Sequence, residues 1–288
     1  MSYQAALTDP EYRTPGKNLG LWDALRHRYL LTLLLKKGIT TRYYGSALGW
    51  IWSYVRPAAQ FLMYFVVIGV IFGMTRGMEY FPIYLFSGII VVNLFSESLR
   101  NTTSAITDNA SLVKKIYLPR ELFPLSAIGG SFVHFLPQLA VLFVIVLFLG
   151  WTVTWMQVVA LILALVTVLT FCLGLGLFFG AINVAYRDSR NVVDLILMFA
   201  TWASPVLYTW EKVYDHAPNW LFQIYMSNPV TAAVELIHSV FWLPLEPNSP
   251  RPEHVMLNAL IALVIALITL LIGQLTFRKM EGNFAQHL

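Results

Sequence analysis

Long apolar blocks dominate the chain, at residues 58–74, 81–99, 122–150, 157–185, 191–209 and 255–277. Each is within or above the ~17 to 25 residues that a helix needs to cross the hydrocarbon core of a bilayer. Inside a bilayer the backbone must satisfy its own hydrogen bonds, so such blocks are expected to be helical. The pattern predicts an all-α integral membrane protein with six transmembrane helices.

The residues before the first block predict a helix that lies along the membrane surface. Apolar side chains recur every fourth residue and charged ones occupy other faces, with Leu21, Leu25, Tyr29 and Leu33 on one side and Asp23, Arg26 and His27 elsewhere. The apolar run 30–35 ends at two lysines and is too short to cross alone. We therefore expect a cytoplasmic segment over residues 1–57, without a cleavable signal peptide, and a transmembrane domain over residues 58–288.

The most polar internal stretch, residues 100–124, separates the second and third blocks. Asp108, Asn109 and Ser111 are residue types that cap helix N-termini, and Pro119 must end a helix. The stretch predicts a short helix over about residues 108–118 whose surface is suited to docking a partner. In the alternative interpretation, Lys114 and Lys115 only follow the charge rule for membrane loops, and Leu112 and Ile116 only anchor the helix to lipid.

The connection before the last block, residues 210–254, contains two apolar pieces that are each too short to span. Asn228 and Pro229 lie between them, and proline is favoured at the first position of a helix. We expect two short helices within about residues 219–243 that enter the membrane and return. The alternative is an ordinary extracellular loop that caps the bundle.

Composition supports the membrane assignment, since 58% of residues are hydrophobic, 12% are charged and the mean hydropathy is +0.65. If both termini are cytoplasmic, 16 of the 19 Lys and Arg residues lie on the inner side, as the positive-inside rule requires. The single cysteine, Cys172, excludes an intrachain disulfide and is expected to pack within a span.

Several residues within the blocks have structural explanations. Gly174, Gly176 and Gly180 allow close helix approach, and Pro137 and Pro205 predict kinks. His134 is a candidate polar pore group, although a packing histidine is the favoured interpretation. Glu97 and Asp194 are expected to pair with basic neighbours such as Arg100 and Arg190.

Catalytic motifs are absent from the sequence, which contains no phosphate-binding loop, zinc-protease motif or nucleophile elbow. No closely spaced acidic pair or cysteine pair offers a metal site. We therefore expect a protein that is not an enzyme and that binds no cofactor or metal of its own.

Five stretches carry a family resemblance: TRYYGSALGWIWSYVRP, NASLVKKIYLPRELFPLS, INVAYRDSRNVVDLILMFATWASPVLYT, SNPVTAAVELIHSVFW and GQLTFRKMEGNFAQ. In this order they resemble the ABC-2 type permeases that export lipid-linked cell-surface polysaccharides such as O-antigen, capsule and teichoic acid. Taken together, the sequences of these stretches most resemble the galactan exporter permeases of mycobacteria and their relatives. The chain departs from the family at Arg56, where an asparagine is common before the proline, and in the tail FAQHL, where an acidic residue is usual.

The resemblance implies a homodimer in the bacterial inner membrane that works with two separate ABC ATPase subunits, which bind Mg-ATP. The implied substrate is a lipid-linked polysaccharide, and no nucleic acid is expected as a partner. The helix near residue 110 would then contact the ATPase through Asn109, Leu112, Val113, Lys114, Lys115, Ile116, Tyr117, Arg120 and Glu121. The inner gate would involve Arg42, Tyr43, Leu48, Gly49 and Trp52.

The resemblance also implies an aromatic export path on the first and fifth spans, which here would use Phe61, Tyr64, Phe65, Trp202 and Tyr208. Each of these rings has ordinary packing or lipid contact as its alternative role. For the protein as a whole, the alternative to an ATP-driven exporter is a carrier or membrane scaffold that works without an ATPase.

Overall fold

The computed structural model describes residues 20–42, 44–46, 49–116 and 118–288, and these residues form helices, turns and loops without a strand. The all-α class predicted from the sequence is confirmed. We number the helices in chain order as follows: α1 Leu21–Arg26, α2 Arg28–Arg42, α3 Trp52–Tyr64, α4 Phe81–Asp108, α5 Ala110–Lys115, α6 Leu122–Phe148, α7 Trp155–Ala185, α8 Ser189–Ala200, α9 Trp210–His216, α10 Asn219–Ser227, α11 Pro229–Phe241, α12 Val255–Glu281 and α13 Phe284–His287.

Among the described residues, five helical segments are long and apolar enough to cross a membrane: α3 with its continuation to Ile71, α4, α6, α7 and α12. The first of these begins at Trp52 and changes to a π-helix over Phe65–Ile71. The second continues two turns beyond the predicted block and ends only at Asp108. The predicted count of six spans is not confirmed by helix length.

The difference from six lies in the block at residues 191–209, where α8 has only 12 residues and a non-helical segment follows Ala200. Pro205 cannot continue a helix, because it lacks the backbone donor and its ring clashes with the preceding turn. The Tyr84 hydroxyl on α4 lies 2.8 Å from the carbonyl oxygens of both Pro205 and Tyr208, and these two acceptors share its single hydrogen. The predicted kink at Pro205 is therefore a helix end followed by a buried turn.

Helix α4 occupies the centre of the bundle and packs against α6, α7, α8 and α11. Its apolar side chains, including Leu85, Ile90 and Leu99, are almost completely buried. Helix α12 packs along α7 on the side away from α4, and α3 makes fewer contacts, on α4. A central helix that is buried against several neighbours needs apolar residues on most of its surface, and most residues of α4 are apolar.

The glycines of α7 allow the close packing that the sequence predicts. A methyl group added at Gly176 would lie 2.5 Å from the Thr102 Cβ on α4. On the other side of α7, a methyl group added at Gly174 would lie 2.5 Å from the backbone nitrogen of Leu270 on α12. At Gly174 backbone meets backbone, and at Gly176 only the small Thr102 side chain lies between the helices, so α7 joins α12 and α4 at short range.

The two short helices before the last span form as predicted. The Asn228 side chain accepts a hydrogen bond from the Val230 amide at 3.0 Å, and Pro229 is the first residue of α11. Every residue from Pro229 to His238 is buried, since α11 packs against α4, α7 and α12. This burial among membrane helices does not fit the alternative of a surface loop. At ~1.5 Å per residue, its 13 residues are too short to cross a bilayer.

The N-terminal amphipathic segment is divided at His27 into α1 and α2. Helix α2 packs on α6, where Leu35 contacts Gly129. Trp22, Tyr29 and Leu33 remain exposed, as expected for a helix whose apolar face contacts lipid. Asp23, on another face of α1, is buried and only 8% exposed.

Candidate functional site

Helix α5 follows the central helix α4 with only Asn109 between them. It is shorter than the sequence predicts, with six residues that end at Lys115. Asn109 occupies the N-cap position but its side chain does not cap the helix, contrary to prediction. Instead its amide nitrogen donates to the Ala105 carbonyl at 2.8 Å, so the side chain bonds back to α4. Asp108 is the last residue of α4 and is not a cap.

The side chains of α5 divide into two faces. Val113 is buried and Leu112 is partly buried against the cluster that contains Ile106, Phe123 and Phe277. Lys114, Lys115 and Ile116 are exposed on the other side. A docking partner would therefore contact the lysines and Ile116, whereas Leu112 and Val113 attach the helix to its own chain. Tyr117, also predicted to dock, lies outside the described residues.

Two other predicted docking residues, Arg120 and Glu121, point toward the C-terminal segment. The Arg120 guanidinium carbon lies 5.6 Å from the centroid of the Phe284 ring. Glu121 is fully buried and accepts a hydrogen bond from the Gln274 amide at 3.0 Å. These contacts connect the loop after α5 to α12 and α13, so any movement of this loop would also involve the end of the last membrane helix.

Side-chain contacts connect α5 and the end of α4 to neighbouring helices. Lys37 on α2 donates to the Asn109 amide oxygen at 2.9 Å. Arg190 on α8 donates to the Asp108 carboxylate at 2.7 Å and also bonds to Thr107. The short basic helix is therefore linked both to the N-terminal helix and to the helix that follows α7.

The predicted gate residues that the structure describes are Arg42, Gly49 and Trp52; Tyr43 and Leu48 lie outside the described residues. Arg42, at the end of α2, forms an ion pair with Glu97 on α4. Gly49 has a φ of 47°, which favours glycine, and its amide donates to the Ser46 hydroxyl at 3.1 Å. The backbone therefore turns at Gly49, just before α3.

The predicted pairing of Glu97 and Asp194 with basic residues is confirmed, and Arg100 is the partner of Asp194, whereas the partner of Glu97 was not among the residues named. Glu97 pairs with Arg42, at the end of α2, rather than with Arg100. Arg100 pairs with Asp194 at 3.0 Å, and Arg190 pairs with Asp108. All three pairs join different helices, and such contacts cannot be read from sequence spacing.

A polar cleft of about 550 Å³ lies where α3, α4 and α6 meet beside the end of α2. This volume is within the ~300 to 1,000 Å³ that is usual for small-ligand sites. Its lining is rich in charged and amide side chains and includes Arg42, Trp52, Arg56, Gln60, Asn93, Glu97, Arg100, Asn101 and Gln138. A second cavity of about 500 Å³ shares Arg42 and Asn101 and extends toward Asn109 and His134.

Sequence analysis did not identify the cleft, although α4 carries a signal for it. Asn93, Glu97, Arg100, Ser104 and Asp108 recur at spacings of three or four residues. This spacing places them along one face of the helix. A polar stripe along an apolar span is expensive in lipid and therefore points to a water-filled or protein-lined space. His134, considered as a pore group, is buried where it borders the second cavity.

The aromatic residues predicted to line a path form two separate groups. Phe61, Tyr64 and Phe65 pack partly buried against the main core, with the rings of Phe61 and Phe65 5.9 Å apart. Trp202 is exposed, and its carbonyl accepts a hydrogen bond from the Tyr208 hydroxyl at 2.6 Å. Among the described residues no ring contact joins the two groups.

A second missed feature is a buried polar pair on α11. Glu235 and His238 are 4% and 0% exposed, and the carboxylate Oε1 lies 3.8 Å from the imidazole Nδ1. His238 donates from Nε2 to the Tyr84 carbonyl at 3.1 Å and stacks on the Tyr84 ring at 3.9 Å between centroids. These contacts fix α11 to the central helix. The signal in the sequence is two ionisable residues three apart in an otherwise apolar helix.

No group of three His, Cys, Asp or Glu side chains suitable for a metal ion occurs in the part of the chain that the structure describes. The polar side chains of the described residues surround a cleft, and an exposed basic helix lies at the end of the same central helix.

Comparison with known proteins gives a family match over residues 29–242, to the ABC-2 type transporter family. The O-antigen export system permease protein RfbA of Myxococcus xanthus is 29% identical over 243 residues, which are 84% of this chain and 90% of that protein. A protein of the same name from Klebsiella pneumoniae is 25% identical over 90% of this chain and 95% of its own length. The polysialic acid transport protein KpsM of Escherichia coli is 23% identical over 86% of this chain and 92% of its own.

Proposed function

The chain belongs to the ABC-2 type transporter family, and from this premise we propose that it is the membrane permease of an ATP-driven exporter of a lipid-linked polysaccharide. The relatives named for O-antigen export and polysialic acid transport support a polysaccharide as the substrate. Sequence resemblance to the mycobacterial exporters favours a galactan. We further propose that the protein is a homodimer in the bacterial inner membrane, with both termini in the cytoplasm.

The observation that carries the proposal is the link between α5 and the cleft. The exposed face of α5 offers two lysines and an apolar side chain, a combination suited to a protein partner. Lys37 connects Asn109, at the start of α5, to α2, and Arg42 at the end of the same α2 pairs with Glu97 in the cleft wall. A partner that moves α5 would therefore also move one wall of the cleft.

In this mechanism ATP is bound and hydrolysed on two separate ABC ATPase subunits. Their closure pushes on α5, and α4 and α2 transmit the displacement to the cleft and to the bend at Gly49. Arg120 and Glu121 transmit it to α12 through Phe284 and Gln274. The aromatic side chains of α3 and the residues after α8 provide weak contacts for sugar rings, so a long glycan can slide past them.

The proposal is tested by depleting the protein in its host and analysing lipid-linked glycans on each side of the membrane. We expect the glycan to accumulate on the cytoplasmic side, and its sugars identify the substrate. Affinity purification of the chain from the same membranes should recover an ATPase with nucleotide-binding motifs. Unchanged glycan distribution after depletion, or glycan movement by the purified chain without any ATPase, would contradict the proposal.

A further inference from the structure

Three arginines line the polar cleft, and they differ in their partners. Arg42 pairs with Glu97, and Arg100 pairs with Asp194. Arg56, on α3, has no carboxylate partner among the described residues, although it faces the same space. Arg56 is exposed near the start of a membrane helix, so its guanidinium is accessible to a ligand. The cleft therefore has a cation available for an anionic ligand.

A second group in the cleft, the side-chain oxygen of Gln138, is a hydrogen-bond acceptor without a donor. Gln138 on α6 is 7% exposed, and its amide nitrogen donates to the His134 carbonyl at 3.4 Å. If the amide were turned the other way, its oxygen would face the His134 carbonyl oxygen, and two acceptors cannot bond to each other. The nitrogen therefore faces His134, and the oxygen Oε1 is left without a donor. This oxygen is buried without a hydrogen-bond donor. A buried acceptor in this situation favours a ligand that brings a hydroxyl or amide N–H group.

The third element is an aromatic surface on the same helix face as Arg56. Trp52, Arg56 and Gln60 follow one another at four-residue intervals on α3, and all three line the cleft. The Trp52 side chain is 46% exposed, so its ring is accessible. An accessible ring beside hydrogen-bonding side chains is suited to the apolar face of a sugar.

We propose that this cleft is a binding site for a glycosyl phosphate, namely the phosphate of a lipid-linked glycan together with the sugar attached to it. Arg56 binds the phosphate, Trp52 stacks on the sugar, and Gln138 accepts a hydrogen bond from a sugar hydroxyl. Gln60 and Asn93 provide further amide groups at the rim. The inference rests on the proposed function and adds to it the part of the substrate that the permease recognises.

The chemistry of the cleft favours this ligand over either part alone. A phosphate alone would satisfy Arg56 but would give Gln138 Oε1 an acceptor where a donor is needed. A neutral sugar would satisfy Gln138 but leave the Arg56 charge without an anion. A guanidinium bonded to phosphate forms charge-assisted hydrogen bonds, which are about twice as strong as neutral ones.

The test is a binding measurement on the purified permease with its ATPase, reconstituted in neutral-lipid nanodiscs. The radiolabelled probe is farnesyl diphosphate carrying N-acetylglucosamine, and the competitors are farnesyl diphosphate, phosphatidylglycerol and inorganic phosphate. The variants are Arg56→Gln, which removes the charge, Arg56→Lys, which retains it, and Gln138→Leu, which removes the acceptor. Arg76→Gln is the control, because it removes a charge from an exposed arginine outside the cleft.

We expect Arg56→Gln to weaken probe binding by about tenfold or more, since it replaces charge-assisted hydrogen bonds to the phosphate with weaker neutral ones. Arg56→Lys should lose less affinity, and Arg76→Gln should bind as the unaltered complex does. Gln138→Leu should weaken the glycosylated probe but leave farnesyl diphosphate binding unchanged. Each variant is first shown to be monodisperse with its ATPase, so that a folding defect is not mistaken for lost binding.

Three results would overturn the assignment. The first is that Arg56→Gln binds the probe as well as the unaltered complex does, and the second is that equimolar phosphatidylglycerol displaces the probe. The third is that Gln138→Leu loses as much affinity for farnesyl diphosphate as for the glycosylated probe. The second result would identify a phospholipid headgroup site.

The export assay distinguishes these failures from failure of the proposed function. If the unaltered complex exports glycan while Arg56→Gln binds the probe normally, only the cleft assignment is wrong, whereas absence of ATP-dependent export would contradict the function itself.

Discussion

Arg42 at the end of α2 and Glu97 in the middle of the central helix α4 form an ion pair between the N-terminal helix and the membrane bundle. Both side chains line the polar cleft. Partly exposed ion pairs typically contribute only ~0.2 to 1 kcal/mol to stability, so the pair matters more for the position of α2 than for the fold.

We therefore expect Glu97→Gln to slow glycan export several-fold while lowering the free energy of unfolding by less than about 1 kcal/mol. Exchanging the charges with Arg42→Glu and Glu97→Arg should restore most of the export. Export by reconstituted complexes and thermal unfolding of the same samples provide the two measurements. A charge-exchanged protein that exports no better than Glu97→Gln would exclude the pair as the positioning contact.

The second prediction concerns the exposed face of α5. Ile116→Asp should release the ATPase, because burying an unpaired charge in the interface costs ~2 to 4 kcal/mol. Ile116→Leu is the matched control and should keep the ATPase bound. Leu112→Asp should instead destabilise the permease, since Leu112 packs against its own chain. Co-purification and permease-stimulated ATP hydrolysis measure the effect, and an intact complex with Ile116→Asp would remove Ile116 from the interface.

The third prediction concerns the crossing of α7 and α12 at Gly174 and Gly273, whose backbones are in direct contact. Gly273→Ala should lower the free energy of unfolding by ~1 to 3 kcal/mol, because the added methyl group meets backbone that has no rotamer with which to yield. Gly130→Ala on α6 is the control, since no neighbouring atom lies within 4 Å of the added methyl group. Equal thermal stability of the two variants would show that the helices separate easily at this crossing.

The fourth prediction tests the aromatic path. Tyr64→Leu with Trp202→Leu should slow export and cause lipid-linked polymer to accumulate, while assembly and basal ATP hydrolysis persist because neither residue lies on α5. Phe148→Leu, at an exposed ring on the end of α6, should have no effect. Normal export by the double variant would assign both rings to packing or lipid contact.

The fifth prediction concerns the orientation of the chain in the membrane. In a Cys172→Ser background, an impermeant thiol reagent added to intact cells should label Asp215→Cys but not Ser111→Cys. Both positions are exposed, so burial does not explain a difference between them. The control is permeabilised cells, in which both positions should react. Labelling of position 111 alone in intact cells would reverse the proposed topology.

Much of the architecture followed from local properties of the sequence. The apolar blocks determined the all-α class, because a backbone in lipid must satisfy its own hydrogen bonds. Asn228 and Pro229 determined the start of α11, since capping and a fixed φ act within a few residues. The glycines of α7 indicated close helix packing, although they did not identify α4 and α12 as the partners.

The partners and directions of side chains depended on the tertiary structure. Glu97 could pair with any arginine near its end of the bundle, and the position of α2 selected Arg42. Leu112 and Ile116 are similar in sequence terms, yet one packs inward and the other is exposed because α5 lies on the cluster around Phe123 and Phe277. The block at residues 191–209 is long enough to span, but its helix ends at Ala200, and the Tyr84 hydroxyl of α4 bonds to the segment that follows.

The cleft shows the same division. The sequence alone determined a polar stripe on α4 and a cation at Arg56, because both depend only on residue type and helical period. Only the tertiary structure decided that Arg42 and Arg100 would be paired, while Arg56 has no carboxylate partner among the described residues and the Gln138 Oε1 has no hydrogen-bond donor. Whether a polar side chain finds a partner depends on helices that are far apart in the chain, and no spacing rule within one helix determines it.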